Sequence, residues 1–169
     1  MRRRLSILFA IATITVTTSA FAQVALPASV SVSATVNRPY HQVFGTLKNY
    51  FASPDAMTLV SADEKTGTIV AHRNSVETAT WNRWAYCKVG AMGLLDNLQS
   101  SSADLTIKLT HAGAGSTLVT VTANYHAVYS FASQTDNVAC TSTGALEREI
   151  LTVAGAKLPP APTPAPSLF

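Results

Sequence analysis

The sequence is poor in charge. Only 12% of its 169 residues are Asp, Glu, Lys or Arg. The formal net charge of +3 comes from Arg2, Arg3 and Arg4. Without them nine Lys and Arg face nine Asp and Glu. A neutral chain lacks the cationic surface that binds nucleic acid by releasing counterions. Metal-ligand spacings of the HExxH or CxxC kind are missing, so no metal is expected. There is no G-x-S-x-G, no P-loop and no dinucleotide fingerprint, so no catalytic residue and no cofactor are assigned. No acidic pair suits acid–base chemistry: Asp63 and Glu64 share a turn, and Glu147 and Glu149 suit the dipole of a helix start. The histidines His41, His72, His111 and His126 are scattered. His111 and His126 flank a hairpin turn too asymmetrically to face each other. No run after residue 22 is long and apolar enough to span a bilayer.

What is present begins with the leader. Met1–Arg4 is basic, Leu5 to about Val16 is apolar, and Ala20-Phe21-Ala22 is a small-x-small cleavage site. This is the pattern of a signal peptide over residues 1–22, cut between Ala22 and Gln23. It implies a bacterial periplasmic or secreted protein. Cys87 and Cys140 are the only cysteines. In an oxidising compartment they are expected to form one structural disulfide. That bond would close a loop of about 54 residues and contribute about 4 kcal/mol in the chain-entropy picture.

The periodicity predicts one domain over 23–157 and a Pro-rich, unpacked tail over 158–169, which holds five of the eight prolines. Val30–Val36 alternates as a half-buried strand. Asn37 is a plausible cap for a helix with Pro39 in its first turn and Tyr40, Val43, Phe44, Leu47, Tyr50 and Phe51 on its apolar face. Ser53-Pro54-Asp55 should stop it. Met57–Ala62 and Thr68–His72 read as a hairpin, with Gly67 free to adopt positive φ. Residues 73–102 show no dominant period; a strand near Trp84–Val89 and an irregular excursion are expected. Leu105–Leu109 and Leu118–Phe131 form the clearest hairpin, turning at Ala112–Ser116. Ser133–Ser142 reads as a polar loop. Thr143 is expected to cap a last helix with Leu146, Ile150, Val153 and Ala154 inward, ended by Gly155. The sum is an α+β two-layer sandwich: a curved antiparallel sheet packed by an N-terminal and a C-terminal helix, with its Thr/Ser-rich face toward solvent.

Three segments carry a resemblance. They are the run Val36-Asn37-Arg38-Pro39-Tyr40 with its helix, the Leu105–Val121 hairpin, and Cys140-Thr141-Ser142-Thr143-Gly144-Ala145-Leu146-Glu147 opening the last helix. Together they resemble a family of small exported bacterial proteins, many of them lipoproteins. The element order is similar to the helix-grip domains of the C-subunit lipoprotein of the β-barrel assembly machine. The resemblance implies a helix-grip fold and no catalytic residues. This chain departs from the lipoprotein members in lacking a lipobox Cys.

The functional expectation is a non-enzymatic cell-envelope domain that binds a protein partner. Trp81, Trp84 and Tyr86 either form a contact patch or pack around the disulfide. The alternative is a carrier of a small apolar ligand held between the first helix, with Tyr40, Phe44 and Tyr50, and the sheet. The sequence leaves oligomeric state open.

Overall fold

The computed structural model describes residues 29–53, 57–74, 76–87, 97–131 and 134–159. The leader with Ala22 and Gln23, the helix stop at Pro54-Asp55, the apolar piece around Met92–Leu95 and nearly all of the Pro-rich tail lie outside them. Ten elements follow in order: β1 (Ser31–Val36), α1 (Tyr40–Phe51), β2 (Thr58–Asp63), β3 (Thr68–Asn74), α2 (Thr78–Trp84), β4 (Ala85–Tyr86), β5 (Asn97–Gly113), β6 (Ser116–Phe131), β7 (Gln134–Ser142) and α3 (Ala145–Ala154).

The seven strands make one antiparallel sheet, ordered β2-β3-β5-β6-β7-β4, with β1 also on β6. Strand β6 organises it. Along one edge it pairs with β5, from Gly113↔Ser116 to Asn97↔Ser130. Its other edge takes β1 over Thr117–Thr122 and then β7 over Tyr125–Phe131. Alternation decides which face is covered. Ala103, Leu105, Ile107 and Leu109 of β5 and Val119, Val121, Ala123 and Tyr125 of β6 are buried. The intervening Thr106, Lys108, Thr110, Asn124 and His126 are exposed.

The helices cover the apolar face. α1 contributes Val43, Phe44, Leu47 and Phe51, against β2, β5 and β6. α3 contributes Leu146, Ile150, Leu151 and Ala154, against β6, β1 and α1. The result is the expected α+β two-layer arrangement. Thr117, in the buried row of β6, is fully buried because its hydroxyl donates to the Arg38 carbonyl at 2.9 Å. That bond ties the β1–α1 junction to the hairpin.

Several local expectations are corrected. Pro39, not Asn37, is the N-cap of α1, and its carbonyl accepts from Gln42 and Val43 N–H. Gly144, not Thr143, is the N-cap of α3. The Thr143 hydroxyl instead donates to the carbonyls of Arg83 and Trp84, at 2.6 and 3.0 Å. Trp81 and Trp84 lie on the helix α2, and the strand that follows is only Ala85–Tyr86. Asn97–Ser102 extends β5 rather than being irregular. Residues 134–142 are a strand, not a loop, because β6 offers them an unpaired edge beyond the end of β1.

The β2–β3 turn shows how tightly the hairpins meet. Gly67 has φ +67°, and its N–H···O partner is across the sheet: Leu109 N–H donates to Gly67 O at 2.8 Å. A Cβ there would stand 2.3 Å from the Leu109 carbonyl oxygen and 2.7 Å from the Tyr40 hydroxyl. Gly67→Ala therefore combines a positive-φ penalty with a backbone clash and is expected to cost about 1–3 kcal/mol in denaturant unfolding. Gly45, inside α1 with nothing near its missing Cβ, is the converse: Gly45→Ala should raise stability by about 0.5–1 kcal/mol.

Candidate functional site

Two regions concentrate polar chemistry. The first is the disulfide end of the molecule. Cys87 and Cys140 are bonded, with Cα atoms 4.3 Å apart and a sequence separation of 53. Cys140 is the cross-strand neighbour of Tyr125 in the buried row of the sheet. The bond anchors the segment Val76–Cys87, which is also held by its buried Val76, Trp81, Trp84 and Ala85 and by several polar ties. Ser101 Oγ accepts from Val76 N–H and donates to its carbonyl. Thr143 N–H donates to the Trp84 carbonyl. Arg83 pairs with Glu149 at 3.3 Å across an exposed surface, and the Arg73 guanidinium lies 5.8 Å from the Trp84 ring centre.

Beneath this segment lies a buried polar group. Trp81 is fully buried and meets Tyr125 edge to face at 5.6 Å. Glu147, expected on the exposed first turn of α3, is also fully buried. The cause is local: Ser142 Oγ accepts from Gly144 N–H at 2.8 Å and donates to Glu147 Oε1 at 2.6 Å, folding the carboxyl back under the helix start. Glu147 Oε2, Tyr125 Oη and the two indole nitrogens of Trp81 and Trp84 have no partner of good geometry among the described residues. Burial raises the Glu147 carboxyl above its ordinary value, and the hydrogen bond from Ser142 opposes this. Burial, then the nearby Glu147, pushes the Tyr125 phenol well up.

The second region is the uncovered face of the sheet. Rows of outward side chains run across the strands. His72, Asp104 and Asn124 form one, and Asn74, Ser102, His126 and Ala139 the next. His72 Nδ1 lies 2.7 Å from Asp104 Oδ1, and Nε2 lies 2.7 Å from Asn74 Oδ1, both within hydrogen-bond distance. The hydrogen bonds to Asp104 and then to Asn74 raise the imidazole above its ordinary value, against a small effect of burial. Further along, Ser31 and Ser33 hydroxyls bond to Thr122 and Thr120 at 2.7 and 2.8 Å. Beside the His72 network a cleft of about 620 Å³ opens onto the same face. Among the described residues no group of three or more His, Cys, Asp or Glu could hold a metal ion.

The expected site residues divide between environments. Trp81 and Trp84 are core, under the anchored segment. Tyr86, their near neighbour, is 69% exposed. Phe44 is buried. Tyr40 stacks on His111 at 4.6 Å and donates to the Glu64 carbonyl. Tyr50 is half-buried, edge-on to Phe51. Two surface clefts among the described residues lie away from α1, one on the open face and one along the outside of α3 near Arg148 and Lys157. No helix among the described residues is long and apolar enough to cross a membrane. Comparisons with protein-family models, curated proteins and solved structures find nothing that matches this chain.

Two measurements follow from this geometry. A Cys87→Ser/Cys140→Ser variant is expected to lose about 2–5 kcal/mol of unfolding free energy, read by denaturant titration against the oxidised protein. The pH dependence has a definite sign. Glu147 and His72 both hold protons more tightly when folded, so the native state binds more protons than the unfolded one. Glu147's contribution is complete below its ordinary value of 4.5 and is lost as pH rises through its folded value. His72's is complete below 6.5 and is lost at still higher pH, weakened by its solvent exposure. Asp63, held low chiefly by Thr66, acts oppositely but only below 3.8. Melting temperature should therefore fall as pH rises above about 4.5 and again above about 6.5. Glu147→Gln should flatten the lower part of that slope, and an unchanged slope would contradict the buried-acid assignment.

Proposed function

We propose that this chain is an exported, non-enzymatic accessory domain of the cell envelope, periplasmic or released, that binds a protein partner around Tyr86. The exposure of Tyr86 carries the reading. A large aromatic stands 69% exposed on a two-residue strand, directly before a disulfide cysteine and paired with Thr141 of β7. Aromatic side chains held rigid before binding lose little entropy on association and dominate interface energies. The apolar leader and the Cys87–Cys140 bond support export, since disulfides persist in oxidising compartments.

The test is site-specific photocrosslinking in native envelope fractions. A benzoylphenylalanine at position 86 is expected to give one discrete adduct. The same probe at the exposed Gln42 on α1 should give none, and the adduct at 86 should vanish in the Cys87→Ser/Cys140→Ser background. Tyr86→Ala should leave the melting temperature within error, because an exposed ring contributes little to the fold. No adduct at 86, or the same adducts at both positions, would overturn the assignment.

A further inference from the structure

The cleft on the open face of the sheet is a second site, independent of Tyr86. Its position follows from register. Asn74 on β3, Ser102 on β5, His126 on β6 and Ala139 on β7 stand side by side across four strands. Ser100, Val128 and Asn137 form the row below, where the register of β5 shifts between Leu98 and Ser100. At strand spacing the first row is about 14 Å long, and all seven residues line the cleft.

The lining defines the ligand. No Lys, Arg, Asp or Glu contributes to it. On its rim the Asp104 carboxylate is already engaged with the His72 imidazole at 2.7 Å. A phosphate or carboxylate would find no cation, and a cationic ligand would find no free carboxylate. The hydroxyls, amides and imidazole also disfavour a wholly apolar guest. Among the described residues the side chains of Ser102, His126 and Asn137 make no hydrogen bond, so their donors and acceptors are available to a ligand. Asn74 is fixed: its Oδ1 is taken by His72 Nε2, which turns its amide N–H groups to the other side as donors. Ala139 and Val128 lie between these polar groups and supply an apolar floor.

A neutral ligand with hydroxyl edges and an apolar C–H face satisfies both parts of this surface. We infer that the cleft between Asn74, Ser102, His126 and Asn137 binds a neutral oligosaccharide. The sugar ring rests on Ala139, Val128 and the His126 ring. Its hydroxyls exchange hydrogen bonds with Ser102, Asn137 and the amide of Asn74. The length of the row suits a short oligomer more than a single ring, and the openness of the face suits binding along a chain.

The test is an amide-resolved NMR titration of the full mature chain with chitotriose and, separately, maltotriose. Saturable shifts are expected at Ser102, His126 and Asn137 with at least one of the sugars, with Tyr86 unmoved. Losing the hydrogen bond of Asn137 in Asn137→Ala, or the ring surface of His126 in His126→Ala, should weaken binding about tenfold. Both side chains are exposed, so both variants should keep the parent melting temperature. No saturable shift with either sugar overturns the inference. So does affinity unchanged in both variants, or an uncharged serine–glycine peptide saturating the same residues as tightly. None of these outcomes bears on the photocrosslink at Tyr86, so the two assignments fail separately.

Discussion

The fold depends on β6 being shared. This strand is long enough to pair with β5 along one edge and with two different strands, end to end, along the other. The first half of that second edge holds β1, and with it α1 through the Thr117–Arg38 bond. The second half holds β7, and with it the disulfide and α3. Both helices therefore reach the same face of the same strand pair, where they meet each other. One apolar row, from Val119 to Tyr125, is opposite everything the helices bury. Because side chains alternate strictly along a strand, committing this row to the core commits the intervening hydroxyls and charges to the other side. Nothing in the helical layer is left to cover them.

The end of the sheet at β7 is built on a different balance. The segment from Val76 to Cys87 buries two Trp rings, which removes a large apolar area from water. Among the described residues, four polar atoms in and beneath it are buried without good partners. An unpaired buried polar group costs about 1–3 kcal/mol, so the gain from the rings is partly offset. The polar ties from Ser101 and Thr143, and the covalent one at Cys87, hold the segment where packing alone is compromised. Burial raises the Glu147 carboxyl above its ordinary value, in the direction of the neutral acid, which is far cheaper to bury than a carboxylate. The disulfide and the raised carboxyl pKa are thus two responses to one constraint.

Where the sequence is periodic over many residues, the structure follows it. Leu105–Leu109 and Val119–Tyr125 alternate without interruption, and α1 repeats its apolar residues through Phe51; these segments carry enough burial to decide their own conformation. The segments that escaped have too little. α2 spans seven residues and exposes most of them, so Trp81 and Trp84 are its only helical signal, and Thr78 and Thr80 point toward strand. The strand β7 has just one buried residue, Cys140, and owes its form to the free edge of β6. The site is less legible than the fold for a related reason. His72 and Asp104 are 32 residues apart, and only the register of β3 on β5 brings them together. Glu147 looks like a solvated helix-start acid until Ser142 is seen to pull it inward. The pairing of Cys87 with Cys140 needed no such information, since two cysteines leave one intramolecular choice.

The two faces of the sheet then differ in what they are free to do. On the covered face each substitution meets close-packed neighbours, and stability limits it. On the open face the residues between Asn74 and Asn137 support no core, and changing them costs the fold little. Around the cleft they carry hydroxyls, amides and imidazole, with the charged Lys108 further along the same face. Tyr86 presents a parallel case at the sheet's end, where the ring stands exposed on a disulfide-anchored strand. In both places the side chains escape the close packing that restricts the covered face, so they can change at little cost to the core.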